Sequence, residues 1–384
     1  MNKRDLKPAT LAAQALGKID AASRAIVPPV HISTTFERDA NNQYRSGNVY
    51  GRPHNETVRE AEAVIAALEG AAAAMAFGSG QSAAIAAFLA LAPGDHIVAP
   101  RTMYWFLRGW LQQDAVGWGL QTTFVDMSDL AALRAAMRPG NTKIVWIETP
   151  ANPTWDITDI AAACDIARRA GARSIVDSTC ATPILTQPLA LGADMVMHSA
   201  TKYLNGHSDV IAGALATARN DDFWTRIARI RMSHGMILGP FEAFLLIRGM
   251  RTLHLRVAAA SVTAMQLAER LIAHDRIVAV LYPGLSTHSD HAVAKAQMRG
   301  GFGGMLSIRL RDGEAAAINA AARVRVWKRA TSLGGVESLV EHRASIEGSD
   351  SPCPPDLLRL SAGIEDVDDL HRDLVAAIDA ANRP

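Results

Sequence analysis

The apolar positions change their period along the chain, and the changes mark its elements. From Glu56, Val58, Ala61, Ile65 and Leu68 recur at helical spacing, which predicts a helix ended by Gly70. After Gly70, short apolar runs alternate with helical stretches. AAMAF, DHIVAP, TTFVD, KIVWIET, SIVDST and DMVMHSA read as strands, while SAAIAAFLALA, LAALRAAM and DIAAACDIARRAG read as helices. This alternation implies βαβ crossovers and a parallel sheet covered on both faces. Gly70 to Gly94 carries no charge and is long enough to span a bilayer. Gly78, Ser79, Gly80 and Gln81 interrupt it, so it reads as a buried strand, a tight loop and a buried helix.

The rhythm is absent at both ends. Residues 1–57 contain Pro28-Pro29, Ser33-Thr34-Thr35 and a polar run from Asp39 to Asn48, and read as an N-terminal arm. Near Pro240 a long helical segment begins, interrupted around Gly249. It is followed by the strand-like GGMLSIRL, VRVWKRATSL and LLRLSAG and a final helix over DVDDLHRDLVAAIDA. The expected division is an arm over 1–57, an α/β domain over 58–240, and a smaller C-terminal α+β domain over 241–384.

Composition narrows the function classes. With 384 residues, 49% of them hydrophobic, the chain can build a core without disulfide or metal staples. Its net charge is +1, with no basic block, which argues against nucleic-acid or membrane-surface partners. Cys164, Cys180 and Cys353 form no CxxC pair, as expected for free thiols in a reducing, cytoplasmic compartment. The N-terminus lacks the apolar segment of a secretory signal. His288-Ser289-Asp290-His291 has ligand-type residues, but nothing nearby completes a set, so no metal is expected.

In open α/β sheets ligands bind at the carboxyl ends of the strands. Three of those ends carry chemistry. Gly78-Ser79-Gly80-Gln81 after AAMAF can turn backbone amides outward at a helix N-terminus, as a phosphate cradle does. The same letters fit a dinucleotide fingerprint, but the next strand ends in Pro100-Arg101 with no acid for a ribose. A packing turn is the third reading. Asp177 after SIV is either a turn residue or a buried carboxylate awaiting a cation. Lys202 in HSATK is either a solvated lysine or an amine whose pKa desolvation lowers. Together the three meet the needs of pyridoxal 5'-phosphate (PLP): a phosphate site, an acid for the pyridinium nitrogen and a Schiff-base lysine.

The chain also resembles the Cys/Met-metabolism family of PLP-dependent enzymes. The matching segments are HISTTF, NVYGR, GSGQSAA, ETPANPT, VDSTCATP, HSATKYLNGHSD, SLGGVESLVEH and LLRLSAGIED. The resemblance implies a PLP-dependent transferase-like fold of type I and an enzyme acting on a small sulfur amino acid. It implies that Lys202 carries the cofactor and Asp177 faces the pyridinium nitrogen. Gly80, Gln81, Ser199 and Thr201 would hold the phosphate, Asn152 would touch the ring hydroxyl, and Tyr104 would stack on the ring and serve in proton transfer. Tyr50 and Arg52 would reach the phosphate of a neighbouring subunit, in a homodimer or homotetramer. Arg359 and Ser332 would clamp the substrate α-carboxylate.

Several positions depart from the usual pattern: Trp105-Phe106-Leu107 after the tyrosine, Asn55-Glu56-Thr57, Cys180, and Thr331 where γ-acting members carry glutamate. Thr331, the YGR run at Tyr50-Gly51-Arg52 and the residues after Tyr104 tilt the expectation toward cystathionine β-lyase, releasing homocysteine, pyruvate and ammonia. SLGGVES resembles the γ-acting members, which remain the alternative. A dinucleotide-dependent oxidoreductase and a non-catalytic relative are more remote readings.

Overall fold

The computed structural model describes residues 6–348 and 351–381. A short helix α1 (Pro8–Gln14) lies in the arm, where no element is expected from the sequence; Pro8 at its first position suits a helix start. Helix α2 spans Glu56–Glu69. Asn55 caps it by accepting from the Val58 amide, and Gly70 ends it in a left-handed conformation, φ 65°. Its Val58, Ala61, Ile65 and Leu68 are all buried.

The large sheet holds β1 (Ala73–Phe77), β2 (His96–Pro100), β3 (Gln121–Val125), β4 (Thr142–Glu148), β5 (Arg173–Asp177), β6 (Met195–His198) and β7 (Gly213–Thr217). Their order is β1-β7-β6-β5-β4-β2-β3. Only β7 runs antiparallel to its neighbours β1 and β6. The sheet is therefore mostly parallel. GALAT gives no alternation that marks β7 as a strand, because both of its faces are buried.

Helices α3 (Gly80–Leu89), α4 (Trp105–Gly117), α5 (Leu130–Ala136), α6 (Ile160–Arg169) and α7 (Thr182–Leu185) fall between these strands, and α8 (Asp222–Ser233) follows them. α3, α4 and α8 cover one face over Phe77, Ile97, Trp146 and Leu215. α5 and α6 cover the other over Val98, Val145, Ile147 and Val176. The uncharged stretch from Gly70 to Gly94 is thus strand, turn and core helix. Among the described residues no helix is long and apolar enough to cross a membrane.

The helical segment after Pro240 is split into α9 (Pro240–Met250) and α10 (Leu253–Leu271). The second sheet contains β8 (Ile277–Leu281), β9 (Met305–Leu310), β10 (Lys328–Arg329), β11 (Leu339–His342) and β12 (Leu357–Ser361), ordered β10-β11-β12-β9-β8. α11 (His291–Gln297) precedes β9, and α12 (Gly313–Arg323) and α14 (Val367–Ala380) pack their alanines and leucines on the sheet. VRVWKRATSL forms only the two-residue β10. Beyond β10, Ser332 bonds to Lys202 and Leu333 lines the cavity at the large sheet, and Trp327 is buried with its indole N–H on the Leu370 carbonyl.

Candidate active site

Every loaded strand end opens on the same side of the large sheet, as parallel strands require. At the end of β1, Ser79 caps α3, with its hydroxyl accepting from the Ser82 amide at 3.0 Å. Gly80 is packed so closely on Ser199 that a Cβ would stand 2.8 Å from the Ser199 Cβ. The missing side chain brings the Ser199 hydroxyl beside the helix N-terminus. Gln81 follows, with its side-chain oxygen buried and unpartnered among the described residues. These groups supply the donors and the dipole end that a phosphate binds.

Adjacent strands β4 and β5 end in register, Glu148 opposite Asp177. Both carboxyls are buried, and burial pushes both pKa values up, Glu148 to about 8. Asp177 Oδ1 accepts from the Thr179 hydroxyl at 2.5 Å and the Thr179 amide at 3.0 Å. The Thr179 hydroxyl in turn accepts from the Ser199 amide at 2.8 Å, stapling the Asp177 turn to the phosphate side. Among the described residues Asp177 has no ion-pair partner. A buried acid of this kind is complementary to a cationic ring nitrogen.

Glu148 was not singled out from the sequence, yet it organises the floor of the site. Its Oε2 accepts from the Tyr104 amide at 2.8 Å and its Oε1 from the Asn152 amide at 3.1 Å. The signal was present in ETPANPT, whose glutamate ends an apolar strand as Asp177 does. Thr179, within VDSTCATP, was missed in the same way.

After β6, Lys202 points into the cavity. Its Nζ donates to the Ser332 hydroxyl at 2.8 Å. Burial, then the charge of Arg359, lowers its pKa to about 8. The large sheet meets the small one here. The Trp155 indole N–H donates to the Ser307 hydroxyl, which donates to the Pro153 carbonyl, both at 2.8 Å. Ser307 stands opposite Arg359 on β12. The ETPANPT loop is thereby docked so that Arg359 Nη1 donates to Asn152 Oδ1 at 3.2 Å, while Nη2 donates to the Ser332 carbonyl at 2.8 Å.

The resulting cavity has a volume of about 230 Å³ and is lined by Gly80, Gln81, Tyr104, Glu148, Asn152, Asp177, Ser199, Thr201 and Lys202, among others. Tyr104, at the start of α4, has its phenol pKa raised by burial. Thr201 uses its hydroxyl as a donor to the Ala212 carbonyl at 3.0 Å, beside the cradle. Tyr50 and Arg52 are not brought to the cavity of their own chain; they sit together on the arm, with the guanidinium 5.7 Å from the ring centre. Among the described residues no group of three His, Cys, Asp or Glu side chains is placed to hold a metal ion. His288 and His291 instead bond to backbone groups of their own segment. The donor set fits PLP: amides and a hydroxyl for phosphate, a buried acid, and an amine of lowered pKa.

The family of Cys/Met metabolism PLP-dependent enzymes matches residues 9–379. The cystathionine gamma-synthase of Mycobacterium tuberculosis is 44% identical over 377 residues, covering 97% of this chain and 96% of that one. The cystathionine beta-lyase of Coxiella burnetii is 36% identical over 373 residues, covering 94% and 95%. A crystal structure of cystathionine gamma synthase from Xanthomonas oryzae pv. oryzae, in complex with cystathionine, superposes with a TM-score of 0.93 at 36% identity, covering 98% of each chain. The match extends through both sheets and leaves no room for the dinucleotide reading. The chain belongs to the Cys/Met-metabolism family and is a PLP-dependent enzyme of trans-sulfuration.

Proposed function

We infer that this chain makes or breaks the Cγ–S bond of a cystathionine-class amino acid, with Lys202 as the proton-transfer group at Cα. The observation carrying this reading is the convergence on one cavity of a lysine at about pKa 8 and a buried aspartate with no ion-pair partner among the described residues, with a buried arginine behind them. PLP, when bound, supplies an electron sink for the charge left at Cα.

The chain's own residues divide the remaining work. Near neutral pH a useful share of Lys202 is the free amine, ready to take the Cα proton and return it. Asp177 would face the ring nitrogen. Gly80, Gln81, Ser199 and Thr201 would hold the phosphate. Arg359, with Ser332, fixes the α-carboxylate and so aims the Cα–H bond at Lys202, and Asn152 orients the ring side of the site. The Tyr104 phenol keeps its proton at neutral pH and can give it to the departing sulfur. Tyr50 and Arg52 complete the phosphate site of a second copy, so the working unit is at least a homodimer.

The position of the bond is supported by the higher identity to the gamma-synthase, over 377 residues against 373, and by the SLGGVES turn that carries Ser332. Chemistry at Cγ needs a second proton removed, from Cβ, whereas β-elimination needs only the Cα proton. Cleavage at Cβ–S, the expectation from the sequence, is the second reading; exposed Thr331 favours it, because it places no carboxylate at the turn. L-2-Aminobutyrate, which lacks a leaving group, separates the two in heavy water. The proposed function predicts deuterium uptake at both Cα and Cβ, and uptake at Cα alone would overturn the Cγ assignment.

A further inference from the structure

Arg359 is surrounded by more charge than the capture of one carboxylate requires. It stands on β12 opposite Glu341 of β11. Arg343 follows two residues later, and Glu347 ends the short helix α13 (Ala344–Glu347). All four side chains are at least nine-tenths buried. Glu341 Oε2 lies 2.5 Å from Arg359 Nη2 and accepts from Arg343 Nη1 at 3.1 Å. Arg343 places Nε and Nη2 on Glu347 Oε1 at 3.0 and 2.8 Å. The formal charges cancel.

Among the described residues one atom in this cluster is unsatisfied: Glu341 Oε1 is buried with no hydrogen-bond partner, while Oε2 serves two guanidiniums. A buried carboxylate oxygen without a donor is costly. An arriving α-carboxylate adds a third negative charge. With Arg359 alone, Glu341 and the substrate would compete for a single guanidinium, and two buried carboxylates at one cation repel. Arg343 supplies a second fork, already bonded to Glu341, with geometry that can accept a carboxylate through both oxygens.

We propose that Glu341 occupies Arg359 as an internal stand-in for the substrate's α-carboxylate, and that Arg343 takes Glu341 over when an L-amino acid binds. The shared Oε2 is the pivot, and the idle Oε1 is the oxygen that gains a partner. This rests on the reading of Arg359 as the carboxylate clamp. Glu341 and Arg343 are positioning residues, acting through Arg359. They also act in opposite senses on Lys202: the arginine lowers its pKa and the glutamate raises it.

The test uses the cofactor-loaded protein titrated with L-2-aminobutyrate and, separately, with its carboxamide, binding being read from the cofactor's absorbance. Native protein should prefer the acid by at least about tenfold, the scale of a charge-assisted pair; an equal affinity for acid and amide overturns the clamp and this inference with it. Given that preference, Arg343→Met should weaken acid binding by about tenfold or more and leave the amide within about twofold. Glu341→Gln should tighten acid binding, and the double variant should follow Glu341→Gln, not the sum of the two effects. In the cofactor-free protein, where Lys202 is a free amine, its pH midpoint should move up in Arg343→Met and down in Glu341→Gln. An unchanged acid preference in Arg343→Met, or additive effects, overturns the inference. If Arg343→Met does not fold, Glu341→Gln decides: unchanged or weaker acid binding overturns it.

Discussion

The amine of Lys202 and the hydroxyl of Ser332 are 2.8 Å apart, although 130 residues of sequence separate them. Ser332 is held at φ 94°, a backbone region disfavoured for a residue with a side chain. The strain has a return: the same residue gives its hydroxyl to Lys202 and its carbonyl to Arg359. One turn beside the smaller sheet thereby positions both the proton-transfer group and the proposed carboxylate clamp.

Removal of that amine gives the first prediction. Lys202→Ala should cut turnover of any substrate by at least about 10³-fold, since among the described residues no other amine lines the cavity. Its far-UV circular dichroism should match the parent, because the ammonium end makes one hydrogen bond and no ion pair among the described residues. Residual turnover within about tenfold of the parent would remove Lys202 from its role.

Glu148 gives a prediction for stability against pH. Its carboxyl keeps its proton up to about pH 8, whereas in the unfolded chain it ionises near 4.5. Between those values the folded protein binds one more proton at this residue than the unfolded chain, so this group's contribution falls as pH rises. Glu148→Gln keeps a neutral side chain of similar shape and lacks that penalty. Relative to the parent, its midpoint in urea should rise progressively from pH 5 toward pH 8, measured on the apoprotein. A constant difference across that interval would mean that Glu148 is ionised in the fold.

The phosphate cradle is tested through Gly80. A methyl group there would press against Ser199 Cα and Cβ at 2.9 and 2.8 Å, and Ser199 must retreat to admit it. Gly80→Ala should raise the dissociation constant for PLP by about tenfold or more, the loss of one to two hydrogen bonds to a charged group. Equilibrium dialysis reads it directly. Parent-like affinity would place the phosphate elsewhere.

The strand–helix rhythm was legible because parallel strands buried on both faces read as uninterrupted apolar runs, and each was followed by a helix with its own period. What escaped followed from the same physics. β7 is as apolar as its neighbours but antiparallel, and nothing in GALAT reports direction. α4 was hidden because Trp105 and Phe106 begin it at the surface, with burial first at Leu107. In the site, Lys202 and Asp177 stood out because a charge closes an apolar strand. Glu148 closes its strand in the same way but sits within a motif whose prolines draw the eye to the loop. The Glu341–Arg343–Glu347 cluster was not legible at all. Its partners come from β11, α13 and β12, and only the pairing of those strands brings them together.

The most direct test of the central claim is the identity of the keto acid released when the purified, PLP-loaded protein is given L-cystathionine. Cleavage at Cγ–S, with Lys202 removing the Cα proton and then a Cβ proton, predicts 2-oxobutyrate and free cysteine, both lost in Lys202→Ala. Pyruvate with homocysteine would contradict the Cγ assignment and restore the β-lyase expectation drawn from Thr331.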